Sequence, residues 1–96
     1  MNEQANHQAE ADVTICNKLG MHARAATRFV TEASRFQSDI RVRKDQREVS
    51  GKSIMGLMML AASKGTDIHI EASGTDAEAA IEHLRQLVEN RFDEGE

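Results

Sequence analysis

The apolar residues of this chain keep changing their spacing, and that change of period limits the fold more than any single motif does. Val13 and Ile15 lie two apart, with Asp12, Thr14 and Cys16 pointing the other way, as in a strand with one buried face. Ala26, Phe29, Val30 and Ala33 then recur at helical spacing, which predicts a helix from Ala23 to about Ser34. Period two returns at Ile40 and Val42, and Lys44-Asp45-Gln46-Arg47 reads as a hairpin turn. The return strand, Glu48 to Gly51, contributes Val49. Ser53 has the chemistry to cap a short helix from Ile54 to about Ala62, and Lys64-Gly65 is a stop signal. Thr66 to Ala72 alternates again, with Ile68, Ile70 and Ala72 on one face. Thr75 and Glu78 have capping-box spacing before a last helix whose apolar stripe is Ala77, Ile81, Leu84 and Val88.

The predicted order is therefore βαββαβα. Every strand is one-sided, which suits an α+β fold in which helices cover one face of a mostly antiparallel sheet. Residues 1–10 are polar and aperiodic and read as a flexible leader; residues 11–96 read as a single domain. The chain has three Phe and no Tyr or Trp, so its core rests on aliphatic side chains and Met. A domain of 96 residues has little room for a deep cavity, which favours work done at its surface.

Charge and composition exclude several classes of function. A net charge of −4 and the lack of aromatic stacking platforms argue against nucleic-acid binding. The cations gathered from Arg41 to Arg47 read as the solvated edge of the hairpin. The longest apolar run, Ile54 to Ala62, is far short of the ~20 residues that span a bilayer, so no membrane insertion is expected. Met1 to Ala11 lacks the apolar segment of a signal peptide, and Cys16 is the only cysteine. A cytoplasmic monomer is the simplest expectation. The spacing of the histidines suggests no metal site, and no P-loop or dinucleotide fingerprint points to a cofactor.

The chemistry gathers at His22, which stands between Gly20 and the first apolar helical position. At a helix N-terminus the first N–H groups lack partners and the dipole is positive, so an anion is stabilised there. Arg24 can present a guanidinium to the same anion, and Arg28, about one turn on, adds positive potential. An imidazole nitrogen is nucleophilic near neutral pH, and its phosphorylated form is a reactive donor. A histidine before a helix also has a plain reading as a cap.

The segment Asn17-Lys18-Leu19-Gly20-Met21-His22-Ala23-Arg24-Ala25-Ala26 resembles the active-site segment of HPr and of its nitrogen-branch relative NPr. These are phosphocarriers of the phosphoenolpyruvate-dependent phosphotransferase system. Lys52-Ser53-Ile54-Met55-Gly56-Leu57-Met58 resembles the same family's regulatory-serine segment. The resemblance implies an open-faced sandwich of four antiparallel strands with three helices on one side. It also implies that His22 is phosphorylated on Nδ1 by phosphorylated enzyme I and that the group passes to an EIIA-type domain. Arg24 matches the family's active-site arginine. Ser53 matches a site for an HPr kinase/phosphorylase, and Ile54, Met55 and Met58 match its partner-binding face. One position departs: Ala25 stands where the family usually has Pro, so its N–H is kept and the local backbone is looser. The lead-in before His22 leans toward the nitrogen branch and the Ser53 segment toward ordinary HPr; on balance the reading favours HPr. A regulatory interaction module that binds a transcription factor, with His22 as its input, is the alternative of a different class.

Overall fold

The computed structural model describes residues 7–96. Strands β1 (Gln8–Thr14), β2 (Asp39–Lys44), β3 (Arg47–Ser50) and β4 (Asp67–Ser73) form one antiparallel sheet in the order β1-β4-β2-β3. Helices α1 (Ala23–Ala33), α2 (Ile54–Met59) and α3 (Ala77–Glu89) cover one face, giving the α+β open-faced sandwich expected from the sequence.

Register follows burial. Ile70 of β4 lies between Ala11 of β1 and Val42 of β2, and Ala72 between Ala9 and Ile40, so inward residues meet across three strands. Slipping β4 by one residue would turn Ile68 and Ile70 outward. Each is essentially fully buried, and full burial of such a side chain contributes about 1.5–3 kcal/mol, so the register is strongly set. Phe29 and the alanines of α1, Leu57 of α2, and Ile81, Leu84 and Val88 of α3 close the core from the helical side. The open face carries Asp12, His69 and Arg43 in one cross-strand row and Glu10, Glu71 and Arg41 in the next.

The structure departs from the sequence reading at three places. β1 starts at Gln8, where Gln8, Ala9 and Glu10 pair with Ser73, Ala72 and Glu71, so these residues do not belong to a leader. Of the rest of that expected leader, His7 is described and residues 1–6 lie outside the described residues. Helix α2 stops at Met59 because Ala61 takes a positive φ of 53°. Its last carbonyls are then met by two cations of the β2–β3 hairpin. Lys44 Nζ donates to the Leu60 carbonyl at 3.0 Å, and Arg47 to that of Met59 at 3.0 Å. Part of the basic run therefore caps a helix and does not simply solvate a sheet edge. The third departure is at α3, whose N-cap is Asp76 with no side-chain cap bond, so the Thr75–Glu78 box does not form. The Asp76 carboxylate instead accepts from the Ser38 hydroxyl at 2.6 Å and from the Gln37 and Ser38 N–H groups. The Ser38 hydroxyl and then the Gln37 amide hold that carboxyl below the usual carboxylate value.

Candidate functional site

The loop before α1 is built around Gly20. Its φ is +69°, and a Cβ there would stand 2.6 Å from the Ala62 carbonyl oxygen. This close approach lets the Met21 N–H donate to that same carbonyl at 2.8 Å, and the Met21 side chain is buried. His22 follows in extended conformation as the N-cap of α1. Its carbonyl accepts from the Ala26 N–H at 2.9 Å, and its ring Nδ1 accepts from the Arg24 N–H at 3.3 Å. A nitrogen that accepts carries a lone pair, so in the neutral ring Nδ1 bears no proton. The earliest amides of α1 have no intrahelical partner, and Ala25, lacking the ring of a Pro, keeps its N–H among them.

Arg24 is exposed and makes no ion pair among the described residues, so its guanidinium is free for an anion at the ring. Arg28 is engaged elsewhere: it pairs with Asp93 at 2.7 Å and approaches Glu32 at 3.6 Å. The positive potential expected from Arg28 is therefore largely neutralised by the protein's own carboxylates.

Ser53 caps α2, its hydroxyl accepting from the Gly56 N–H at 3.0 Å. Removing that acceptor in Ser53→Ala is expected to destabilise the domain by about 1 kcal/mol, read as a lower urea midpoint with an unchanged slope. On α2 only Leu57 is buried. Ile54, Met55, Met58 and Met59 are exposed, as is Leu19 in the loop before His22. Among the described residues these are the exposed large apolar side chains, and exposed apolar groups gathered in a patch mark interaction sites. An isolated Leu in a loop carries no periodic signal, so spacing alone does not mark Leu19 as part of this surface.

His83 and His69 make contacts within the scaffold. His83 bonds Glu32 at 2.6 Å and lies against Phe36. That hydrogen bond, with help from Arg35, holds the Glu32 carboxyl below the usual carboxylate value. His69 on the open face bonds Asp12 through Nδ1 at 2.7 Å and Glu10 through Nε2 at 2.8 Å. Glu10, His69 and Glu71 hold ligand-type atoms within 4.8 Å of one another, a grouping that sequence spacing hides because two strands supply it. The hydrogen bonds to the ring account for the arrangement without an ion.

The Asp12 hydrogen bond, and then that of Glu10, raise the His69 pKa above 6.5, against burial and the opposing charge of Arg43. A raised folded-state pKa means that the folded state binds more protons in this range. Its contribution is complete below about pH 6.5 and fades as pH rises through the folded value. The stability difference between wild type and His69→Asn is therefore expected to shrink from pH 6 to pH 8 in urea titrations; a difference that grows would contradict the assignment.

One residue at the ring, and the partner that holds it, have roles that sequence spacing does not show. Glu94, 72 positions from His22, accepts through Oε2 from the ring Nε2–H at 2.8 Å. Asn17, buried, donates through Nδ2 to Glu94 Oε1 at 3.1 Å and to the Gly20 carbonyl at 2.8 Å. The only clue in the sequence was the acidic end Asp93-Glu94-Gly95-Glu96, opposite in charge to the Arg24 and Arg28 segment.

A family model described as the PTS HPr component phosphorylation site matches residues 9–90. The chain belongs to the HPr family. The HPr phosphocarrier of Pseudomonas aeruginosa is 51% identical over 86 residues, which cover 88% of this chain and 96% of that relative. The NPr phosphocarrier of Shewanella violacea is 44% identical over 85 residues, covering 88% and 93% respectively. Among solved structures, an HPr from Thermoanaerobacter tengcongensis superposes with a TM-score of 0.86 at 46% identity, covering 90% of this chain and 97% of that one. The HPr fold thus spans nearly the whole chain, and a phosphocarrier role in the phosphotransferase system comes with it. Among the described residues, no helix is long and apolar enough to cross a membrane.

Proposed function

We propose that His22 accepts a phosphoryl group on Nδ1 from phosphorylated enzyme I and passes it to EIIA-type domains in the cytoplasm. The observation that carries this reading is the acceptor role of Nδ1 at the N-terminus of α1, beside unpaired amides and the free Arg24 guanidinium. In the forward step the Nδ1 lone pair forms the new N–P bond. The donor's N–P bond breaks, and its electron pair returns to the donor imidazole. The α1 amides and Arg24 then face the phosphoryl oxygens, where positioning and charge stabilisation do most of what transfer requires.

The apolar surface of Leu19, Ile54, Met55 and Met58 would seat both partners, with adaptable Met side chains fitting different faces. Ser53 is read as the site of an HPr kinase/phosphorylase. A phosphate there adds about −1.5 to −2 charges beside the docking surface and opposes an acidic partner. The higher identity to HPr than to NPr relatives supports the sugar branch over the nitrogen branch.

The test is incubation with phosphoenolpyruvate, magnesium and enzyme I, followed by a chase with an EIIA domain. One acid-labile, alkali-stable phosphate per chain, lost to EIIA in the chase, is expected. A labelled protein that donates to no EIIA domain but binds a transcriptional regulator would favour the interaction-module reading instead.

A further inference from the structure

We infer that Glu94 is a positioning residue: its carboxylate holds the His22 ring in the tautomer that leaves Nδ1 free to accept a phosphoryl group. The inference rests on the proposed role of His22 and extends it to the end of the chain. The two ring nitrogens give consistent readings. Nδ1 accepts from the Arg24 N–H, so the proton of the neutral ring lies on Nε2, where Glu94 Oε2 receives it at 2.8 Å. The carboxylate is only 14% exposed and its other oxygen is held by Asn17, so its direction is fixed.

The tail that delivers Glu94 is built for the purpose at a local cost. Arg91, Phe92 and Asp93 all take positive φ, at 57°, 52° and 63°. None is Gly, and left-handed backbone is unfavourable for such residues, so other contacts must hold the turn. Phe92 is buried in the core, Asp93 pairs with Arg28, and the Lys18 N–H donates to the Glu96 carbonyl at 2.6 Å. These anchors lie within two residues of Glu94, on both sides of it in the chain.

The chemistry gives the carboxylate a task. When the Nδ1 lone pair bonds phosphorus while the proton stays on Nε2, the ring passes from neutral to cationic. Glu94 faces that developing charge and stabilises it, as a buried carboxylate does for an imidazole that takes up charge in a hydrolase triad. No additional proton acceptor is required in the step.

Two readouts on Glu94→Gln test this. Long-range nitrogen–proton correlation spectra of the unphosphorylated protein, recorded where its histidines are neutral, should show wild-type His22 as the Nε2–H tautomer and the variant as a mixture. Single-turnover transfer from phosphorylated enzyme I should slow about tenfold or more with little change in the half-saturating concentration, in line with the loss of an orienting partner. Glu94→Asp, which keeps the charge, should recover part of the rate. An unchanged tautomer or rate in Glu94→Gln, with wild type labelling normally, would overturn the role of Glu94 alone. Equal losses in Glu94→Gln and Glu94→Asp would also overturn it, since they would point to packing. Failure of wild type itself to label would remove the phosphocarrier reading and this inference together.

Discussion

His22→Ala should take up no phosphoryl group from phosphorylated enzyme I. The rate should fall by about 10,000-fold or more, which a labelling assay reads as none. The size of the effect follows from chemistry: the substitution removes the atom that forms the new bond, and no neighbour can replace it. Ser53 and Thr27 are hydroxyls engaged in local hydrogen bonds, at the Gly56 amide and the Ala23 carbonyl. The domain should stay folded. Loss of the Nδ1 cap removes about 1 kcal/mol, and loss of the partly exposed Glu94 pairing removes about 1 kcal/mol or less. Both together are small against the 5–15 kcal/mol typical of a folded domain. His22→Asn separates the two roles more sharply. Asparagine is a good N-cap and no phosphoryl acceptor, so wild-type stability with no labelling is expected. Labelling of either variant would move the chemistry to another residue.

Gly20→Ala should be among the most damaging changes outside the core, by about 3 kcal/mol, and should slow phosphoryl acceptance at least about tenfold. About 1–2 kcal/mol comes from placing a Cβ on left-handed backbone. The rest comes from overlap, because the new methyl would lie 2.6 Å from the Ala62 oxygen and 2.9 Å from Ser63 Cα. Both are backbone atoms, so the loop itself must move. That displacement strains the Met21 bond to Ala62 and the Asn17 bond to the Gly20 carbonyl, which together set the height of His22. Gly65→Ala is the control. Its φ is also positive, at +92°, but nothing lies within 4 Å of the new atom. It should lose only the conformational part and leave transfer unchanged. Equal destabilisation of the two variants in urea titrations would show that the close approach at Gly20 is unimportant.

What the sequence made legible was local. The alternation at Val13 and Ile15 and the helical spacing from Ala26 to Ala33 each report a face that the finished fold buries. His22 and Ser53 are caps whose partners lie two and three residues on, well inside the range that pattern reading can reach. What stayed hidden depended on residues far apart in the chain. Gln8 to Glu10 form a strand because β4 offers a partner, not because their own composition calls for one. Asp76 binds Ser38, 38 positions away, and so leaves the expected capping box unmade. Lys44 and Arg47 end α2 from across a hairpin, and Glu94 reaches His22 only because three left-handed residues fold the tail back. The same distinction explains the site: its nucleophile and amides belong to one short segment, whereas the groups that orient the ring come from the other end of the chain.

The most direct measurement is nitrogen and phosphorus NMR of the protein after labelling by enzyme I. A single phosphohistidine is predicted, with phosphorus coupled to Nδ1 of His22 and the Nε2 proton retained. Phosphorus on Nε2 of that ring, or on His7, His69 or His83, would contradict the account.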